Sequence, residues 1–239
     1  MKKILIITDA WEPQVNGVVT TMTTVVKKLK EKNFKVEVIH PGMFHTFPLP
    51  NYPEISVAWN FWDLKKKIEK FDADYMHISV EGPLGVTGRH YCLENNIPYT
   101  TCIHTKFPEY VYERFGIGLD VTKGLLKWFH NPAAKTLVNT ISHKEELEQD
   151  GFTDLVLWSR GFDEKIFYPC PDGGKKKYLL YVGRVAVEKN IEEFLKMPSH
   201  LPKVVVGGGP SLKSYAKKYP DVEFVCLLYT SDAADEVLG

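Results

Sequence analysis

Two stretches of this chain set glycine and hydrogen-bonding groups where an apolar run gives way to a helix, an arrangement suited to a diphosphate. In the run from Tyr181 to Asn190 an apolar strand ends in Gly183, and Arg184 and Lys189 enter the turn before the next helix. Two cations beside helix-terminal N–H groups can balance phosphate charge. Near the amino terminus, Gln14-Val15-Asn16-Gly17-Val18 follows the first apolar run in a similar way. There Asn16 can cap free N–H groups, and Gly17 lets a phosphate approach the backbone without meeting a Cβ. The same two residues serve equally well as a plain helix start. Two such loops in two halves of one chain point to a nucleotide-sugar clamped between domains.

Further candidates sit where strands end. His104-Thr105-Lys106 closes a strand at the carboxyl edge, where open α/β sheets bind ligands, so His104 is placed to bond a sugar hydroxyl or a phosphate, or is satisfied by the fold. His77 ends the preceding strand and reads as structural. Glu81-Gly82-Pro83 follows it, as a ligand contact or a helix-entry turn. Arg160-Gly161 closes the last strand of the first half, either reaching the cleft or covering the boundary. Gly207-Gly208-Gly209-Pro210 permits close backbone approach to a base or ribose, or makes a tight turn. Asp72-Ala73-Asp74 precedes a strand rather than following one, so it reads as a turn, and no metal is expected. The chain holds no G-x-G-x-x-G, G-x-S-x-G, H-E-x-x-H or G-x4-G-K-[ST], which removes the usual handles for dinucleotide enzymes, serine hydrolases, zincins and P-loop NTPases.

The elements that must position these residues follow from apolar periodicity. Runs at 3–8, 35–40, 55–58, 75–78, 99–104, 137–141 and 154–158 read as strands, and helical patterns at 18–32, 61–71, 84–95 and 143–150 lie between several of them. Near-continuous apolar strands separated by helices predict a parallel, doubly wound α/β domain over 1–164. Residues 165–177, rich in Pro and Gly, read as a linker. The rhythm restarts with strands at 178–182, 203–206 and 222–225 and helices at 190–197 and 211–219, a second domain over 178–225.

With 44% apolar residues among 239, the chain can bury a core. Thirty basic residues balance thirty acidic ones, so nothing overall attracts nucleic acid or an anionic membrane. Local exceptions are Lys27–Lys30 and Leu125–His130, basic and apolar at helical spacing, which suit a leaflet surface, or more simply a solvated face or core contact. The four cysteines form no CxxC pair, and no secretory leader precedes the first strand, so a cytoplasmic setting is expected. Residues 226–236 follow a strand without a turn residue and resemble the in-frame translation of a sequencing-library adapter; the alternative is an edge strand and loop. On the first reading, 226–239 is a non-native tail and the second domain is incomplete.

In order and spacing, Thr8 through Val19, Glu81 through Gly85, His104 through Tyr110, Leu157 through Asp163, and Val182-Gly183-Arg184 with Glu188-Lys189-Asn190 resemble family 4 glycosyltransferases of the two-domain GT-B fold. The resemblance covers 1–225 and is nearest the branch of α-mannosyltransferases acting on lipid or cell-envelope acceptors. It implies retaining transfer from a nucleotide-diphosphate sugar, GDP-mannose favoured, without cofactor or metal. It places Asn16, Gly17, Arg184, Lys189, Gly208 and Gly209 on the donor, with His104 near the reacting carbon and Arg184 and Lys189 neutralising the leaving diphosphate. Asp9, Trp11, Glu81, Lys106 and Arg160 fall on the acceptor side, and peripheral contact at the inner face of a membrane is implied. A Glu-x7-Glu pair expected late in the second domain does not occur, so the 239 residues are expected to be inactive by themselves. The rivals are a transferase using UDP-glucose or UDP-sulfoquinovose, and a non-catalytic nucleotide-sugar-binding module.

Overall fold

The computed structural model describes residues 1–14, 16–49, 52–104, 118–161, 164, 166–169 and 177–225, with the backbone alone for 52–54 and 188. Lys106, the linker interior at 170–176 and the tail at 226–239 lie outside the described residues. The chain divides into two compact units, residues 1–160 and 161–239; the sequence reading set its boundary after residue 164.

The first unit opens with β1 (Lys3–Ile7), whose residues are apolar after the lysine. Alternate side chains of a strand face opposite sides, so a continuous apolar run must be covered on both. Leu5 and Ile7 pack with Ile39, Leu64, Ile78, Leu84 and Phe129 on one face, while Ile6 packs with Met22 and Val26 on the other. Met22 and Val26 belong to α1 (Gly17–Glu31), where Val19, Met22 and Val26 recur at helical spacing on the buried side. The remaining strands of the main sheet are β2 (Lys35–Ile39), β5 (Tyr75–Ile78), β6 (Tyr99–Ile103), β7 (Lys135–Val138) and β8 (Leu155–Leu157), all parallel in the order β2-β1-β5-β6-β7-β8. The chain runs outward from β1 to β2 and then resumes on the other side of β1 at β5. The switch point is therefore between β1 and β5, where such sheets take ligands at the carboxyl ends.

Several expectations shift. The strand read at 55–58 is not in the parallel sheet; it forms part of β4 (Tyr52–Ala58), which pairs antiparallel with β3 (Thr46–Leu49). Pro48 hid β3 from the sequence reading, and a two-stranded ribbon tolerates it because it has no inner ladder to break. The helix read at 61–71 begins as a 3-10 turn, with α2 proper at Leu64–Phe71. Next comes α3 (Pro83–Glu94), and then α4 (Leu119–His130), of which the sequence indicated only the last turn and a half, as a helix face for a leaflet, solvent or the core. In α4 Thr122, Leu126, Phe129 and His130 are buried, while Val121, Leu125 and Trp128 are exposed. The strand expected at 137–141 lies two residues earlier, because the Thr140 hydroxyl accepts from the His143 N–H and starts α5 (Ile141–Gln149). Lys27, Lys28 and Lys30 lie on the exposed side of α1.

The second unit holds β9 (Leu179–Val182), β10 (Lys203–Val206) and β11 (Val222–Val225), parallel in the order β11-β10-β9, with α6 (Ile191–Lys196) and α7 (Leu212–Lys218). Its core is Val185, Ile191, Leu195 and Val205. Among the described residues, no helix is long and apolar enough to cross a membrane.

Candidate active site

The carboxyl edge of the main sheet gathers Asp9 after β1, Ser79 and Glu81 after β5, His104 after β6 and Asn139 after β7. Parallel strands all end there, so residues far apart in sequence meet at one rim.

The loop after β1 is tied down from inside. The Gln14 side chain donates to the Asp9 carbonyl at 3.3 Å, and the Asn16 amide donates to Gln14 Oε1 at 3.3 Å. Asn16 Oδ1 accepts from the N–H groups of Val18 and Val19, both at 3.0 Å, and Thr20 N–H bonds the Asn16 carbonyl. That leaves the Gly17 N–H as the donor at the tip of α1. A Cβ on Gly17 would stand 3.5 Å from Nη1 of Arg160. The space over Gly17 is thus the space beside a guanidinium, and an anion there would meet a permanent cation and a helix N-terminus together.

Arg160 reaches this place through His104. Its Nη2 lies 2.9 Å from His104 Nδ1 and donates to the His104 carbonyl at 3.2 Å; Asn139 Nδ2 donates to the same carbonyl at 3.4 Å. A guanidinium only donates, so Nδ1 must accept and the ring proton lies on Nε2, 3.3 Å from the Ser79 hydroxyl. Burial first, and then the Arg160 charge, push His104 down to about 4, so the ring is neutral near pH 7. His104 is therefore a fixed-tautomer hydrogen-bond donor rather than a cation.

Asp9 does not present a free carboxylate. Its Oδ1 and Oδ2 accept from Leu84 N–H and Gly85 N–H, each at 3.0 Å, capping α3 from a neighbouring strand end. Gly82 carries no side chain because a Cβ would fall 2.3 Å from the Asp9 carboxyl carbon. Burial raises Asp9 to about 6, against the lowering effect of the two N–H bonds. Trp11 lies against His40, with ring centroids 5.9 Å apart, and shares a small hollow with Pro13, Gln14, Pro41 and Ser56.

Glu81 is anchored from a direction the sequence did not indicate. Its Oε1 lies 3.0 Å from Nε2 of His130, at the end of α4, and His130 Nδ1 lies 2.9 Å from the Thr101 hydroxyl. Thr101 and Thr136 hydroxyls are 2.9 Å apart across β6 and β7, and Thr136 donates to the His130 carbonyl at 3.4 Å. His130 stood in the sequence only as the end of an apolar stripe. The available signal was Thr101 and Thr136 in apolar strands, since hydroxyls on a buried face require partners. Nearby, buried Arg89 donates to the carbonyls of Trp128 at 2.6 Å and Phe129 at 3.2 Å, closing the carboxyl end of α4.

Asp72 and Asp74 lie at the opposite end of the strands. Asp74 Oδ2 accepts from the Lys3 N–H at 2.6 Å, and Asp72 pairs with the Lys3 ammonium at 3.5 Å. His77 bonds the Thr100 hydroxyl through Nδ1 at 2.9 Å.

In the second unit, Arg184 is half-buried and Lys189 exposed, the latter in a 3-10 turn at Val187–Lys189 that precedes α6. The glycine run there serves close backbone packing. Gly207 and Gly209 have φ of +149° and +157°, and a Cβ on them would meet the Gly183 and Val185 carbonyl oxygens at 1.9 and 2.2 Å. Between them, the Gly208 carbonyl accepts from the Val185 N–H at 2.9 Å.

The family model described as Glycosyltransferase Family 4 matches residues 15–165. A GDP-mannose-dependent alpha-mannosyltransferase of Corynebacterium glutamicum is 24% identical over 253 aligned positions, covering 93% of this chain and 61% of that protein. A protein of the same description from Mycobacterium tuberculosis is 24% identical, covering 98% of this chain and 70% of that protein. The sulfoquinovosyl transferase SQD2 of Arabidopsis thaliana is 23% identical, covering 86% of this chain and 46% of that protein. Among solved structures, a co-structure of S. aureus MnaA with UDP superposes with a TM-score of 0.59 at 15% identity, covering 99% of this chain and 71% of that one. The apo form of the lipopolysaccharide outer core galactosyltransferase WaaB does so at 0.51 and 13%, covering 98% and 70%. These structural likenesses establish the doubly wound α/β fold.

Proposed function

Because the chain belongs to glycosyltransferase family 4, we propose that it serves retaining transfer of a hexose, mannose foremost, from a nucleotide-diphosphate sugar to a hydroxyl of a lipid or cell-envelope glycan. The observation that carries this reading is the juxtaposition of Gly17 at the α1 tip, the Arg160 guanidinium and neutral His104, with Arg160, expected on the acceptor side, here assigned to the phosphate. Together these suit a phosphorylated sugar: positive potential for the phosphate, and an uncharged N–H donor for a hydroxyl. Mannose and GDP are favoured because three of the matched relatives are described as GDP-mannose-dependent.

In the proposed reaction the bond from the anomeric carbon to the leaving phosphate oxygen breaks and the bond to the acceptor oxygen forms on the same face. The acceptor proton passes to the leaving phosphate, so no glycosidase-type carboxylate pair is required. Charge grows on the diphosphate as it leaves, and Arg184 and Lys189 are assigned to neutralise it. The proposed mechanism uses no metal, and the D-x-D is bonded to Lys3 at the far strand ends.

With the second unit completed to the length of its relatives, the test offers radiolabelled GDP-mannose and UDP-glucose in parallel, with lipid extract and soluble glycan as acceptors, in the presence of excess EDTA. Mannose transfer with an α linkage is the expected result. Preference for UDP-glucose, the direction the sulfoquinovosyl relative would favour, overturns the donor assignment. Inverted product overturns the mechanism, and so does abolition by EDTA with rescue by Mg²⁺ or Mn²⁺.

A further inference from the structure

Glu81 is held from below by a chain of buried hydrogen-bonding groups that ends in His130. Thr101, His130 and Thr136 are buried, His130 with only 1% of its side chain exposed. Hydrogen-bonding groups so enclosed must find partners among themselves. Each threonine hydroxyl has one proton to donate. That of Thr136 goes to the His130 carbonyl, so Thr101 must donate to Thr136 across the 2.9 Å contact. Thr101 then has only lone pairs left for His130, and Nδ1 must carry a proton. On the other side of the ring, Nε2 lies 3.0 Å from a carboxylate oxygen, a contact that requires one more proton between the two atoms.

Imidazole is ordinarily the stronger base of the two. The Glu81 side chain also keeps 23% exposure, so its charge remains partly hydrated. We propose that His130 is the positioning residue for Glu81: it carries both ring protons, holds Oε1 from below and keeps Glu81 ionised, with Oε2 open to accept from a substrate hydroxyl. Oε2 has no hydrogen-bonding partner among the described residues.

The surroundings agree with a neutral pair at this position. His104 is uncharged and bonded to Arg160, and Cys102 is buried beneath it. The Asp9 carboxylate is engaged with the α3 N-terminus on the other side of Glu81. An uncompensated carboxylate at Glu81 would act on both Asp9 and His104, and the proton on His130 offsets it. The buried threonine pair fixes the Nδ1 proton, because Thr101 has only lone pairs to offer the ring. The protonation half of the inference stands on these contacts and on the ordinary basicity of imidazole over carboxylate, and the substrate half rests on the transfer reading above.

Long-range proton–nitrogen spectra of the chain labelled with ¹⁵N-histidine separate the two halves. The eight histidines give eight patterns, and His130→Gln identifies one of them by its loss. At neutral pH His130 should show two protonated-type nitrogens, and His104 a protonated Nε2 with an unprotonated Nδ1. In Glu81→Gln the carboxylate is gone, and His130 should become neutral with its proton on Nδ1, accepting at Nε2 from the new amide. A neutral His130 in the unaltered chain overturns the proposal without any variant having to fold. So does a His130 pattern unmoved by Glu81→Gln. In the transfer assay, His130→Gln should lower kcat/KM for the acceptor roughly tenfold and leave donor KM within about twofold. Unchanged acceptor kinetics alongside the expected spectra would overturn the positioning role alone. Absence of transfer by the completed protein without substitutions would count against the proposed function instead.

Discussion

At the scale of single residues, Gly17 and Asp9 separate ligand binding from folding. A methyl on Gly17 meets nothing closer than the Arg160 guanidinium at 3.5 Å, an ordinary contact, and α1 gains a better helix former at its first position. Gly17→Ala should therefore leave stability within about 1 kcal/mol. It should still weaken nucleotide-diphosphate binding about tenfold, because the methyl occupies the approach to the cation. Calorimetric titration beside thermal unfolding checks both, and unchanged affinity would remove Gly17 from the donor site. The buried titrating groups set a pH signature. His77 and His104 fall to about 4 from 6.5, mainly through burial, so the unfolded chain binds more protons between those values and stability is lost as pH drops through that window. Asp9 does the opposite. Raised from 3.8 to about 6, it takes its proton first in the folded state and adds stability as pH falls from 6 towards 4. Each effect is on the order of 3 kcal/mol over its window. Asp9→Asn removes the offset, so the fall in unfolding free energy from pH 7 to 4 should steepen. Denaturant titrations across that range read the slope, and parallel slopes for the two proteins would refute the assignment.

At the scale of elements, β10 and the turn after β9 are locked together by missing side chains. Gly207 and Gly209 combine positive φ with carbonyl oxygens 1.9 and 2.2 Å from where a Cβ would be. Backbone, unlike a side-chain tip, cannot rotate away. Gly209→Ala should cost at least about 2 kcal/mol through strain and displaced backbone. The loss should appear as a lowered melting transition of the second unit, leaving that of residues 1–160 in place. A neutral substitution would mean the turn has room the geometry denies. Arg89 plays the corresponding part in the first unit, where its guanidinium binds the last carbonyls of α4 and covers the Trp128 ring at 3.9 Å. It thereby fixes the helix end that carries His130.

At the scale of the molecule, all six strands of the main sheet and three of the four core clusters fall within residues 1–160. Those residues expressed alone should fold cooperatively and keep the Arg160–His104 contact, since both members belong to the same unit. Circular dichroism with the His104 nitrogen pattern tests this, and a molten fragment would show that the second unit contributes to the core of the first.

Local chemistry was the part of this protein written in its sequence. The apolar runs of β1, β5 and β6, the buried spacing of α1 and the start of α1 at Asn16 depend on neighbours along the chain, and period and capping report them directly. The family was equally legible, because its motifs are short contiguous stretches at strand ends. The segment 55–58 was misplaced for the converse reason: its apolar residues satisfy either sheet, and the choice depends on pairing with β3. Tertiary structure alone decided which side chains meet at the rim. Arg160 could not be assigned to His104, nor Asp9 to the α3 N-terminus, without the order in which the parallel strands lie side by side. His130 was the least visible of all. Its neighbours Glu81, Thr101 and Thr136 come from three other segments, and a ring's proton count follows from what surrounds it rather than from what precedes or follows it in the chain.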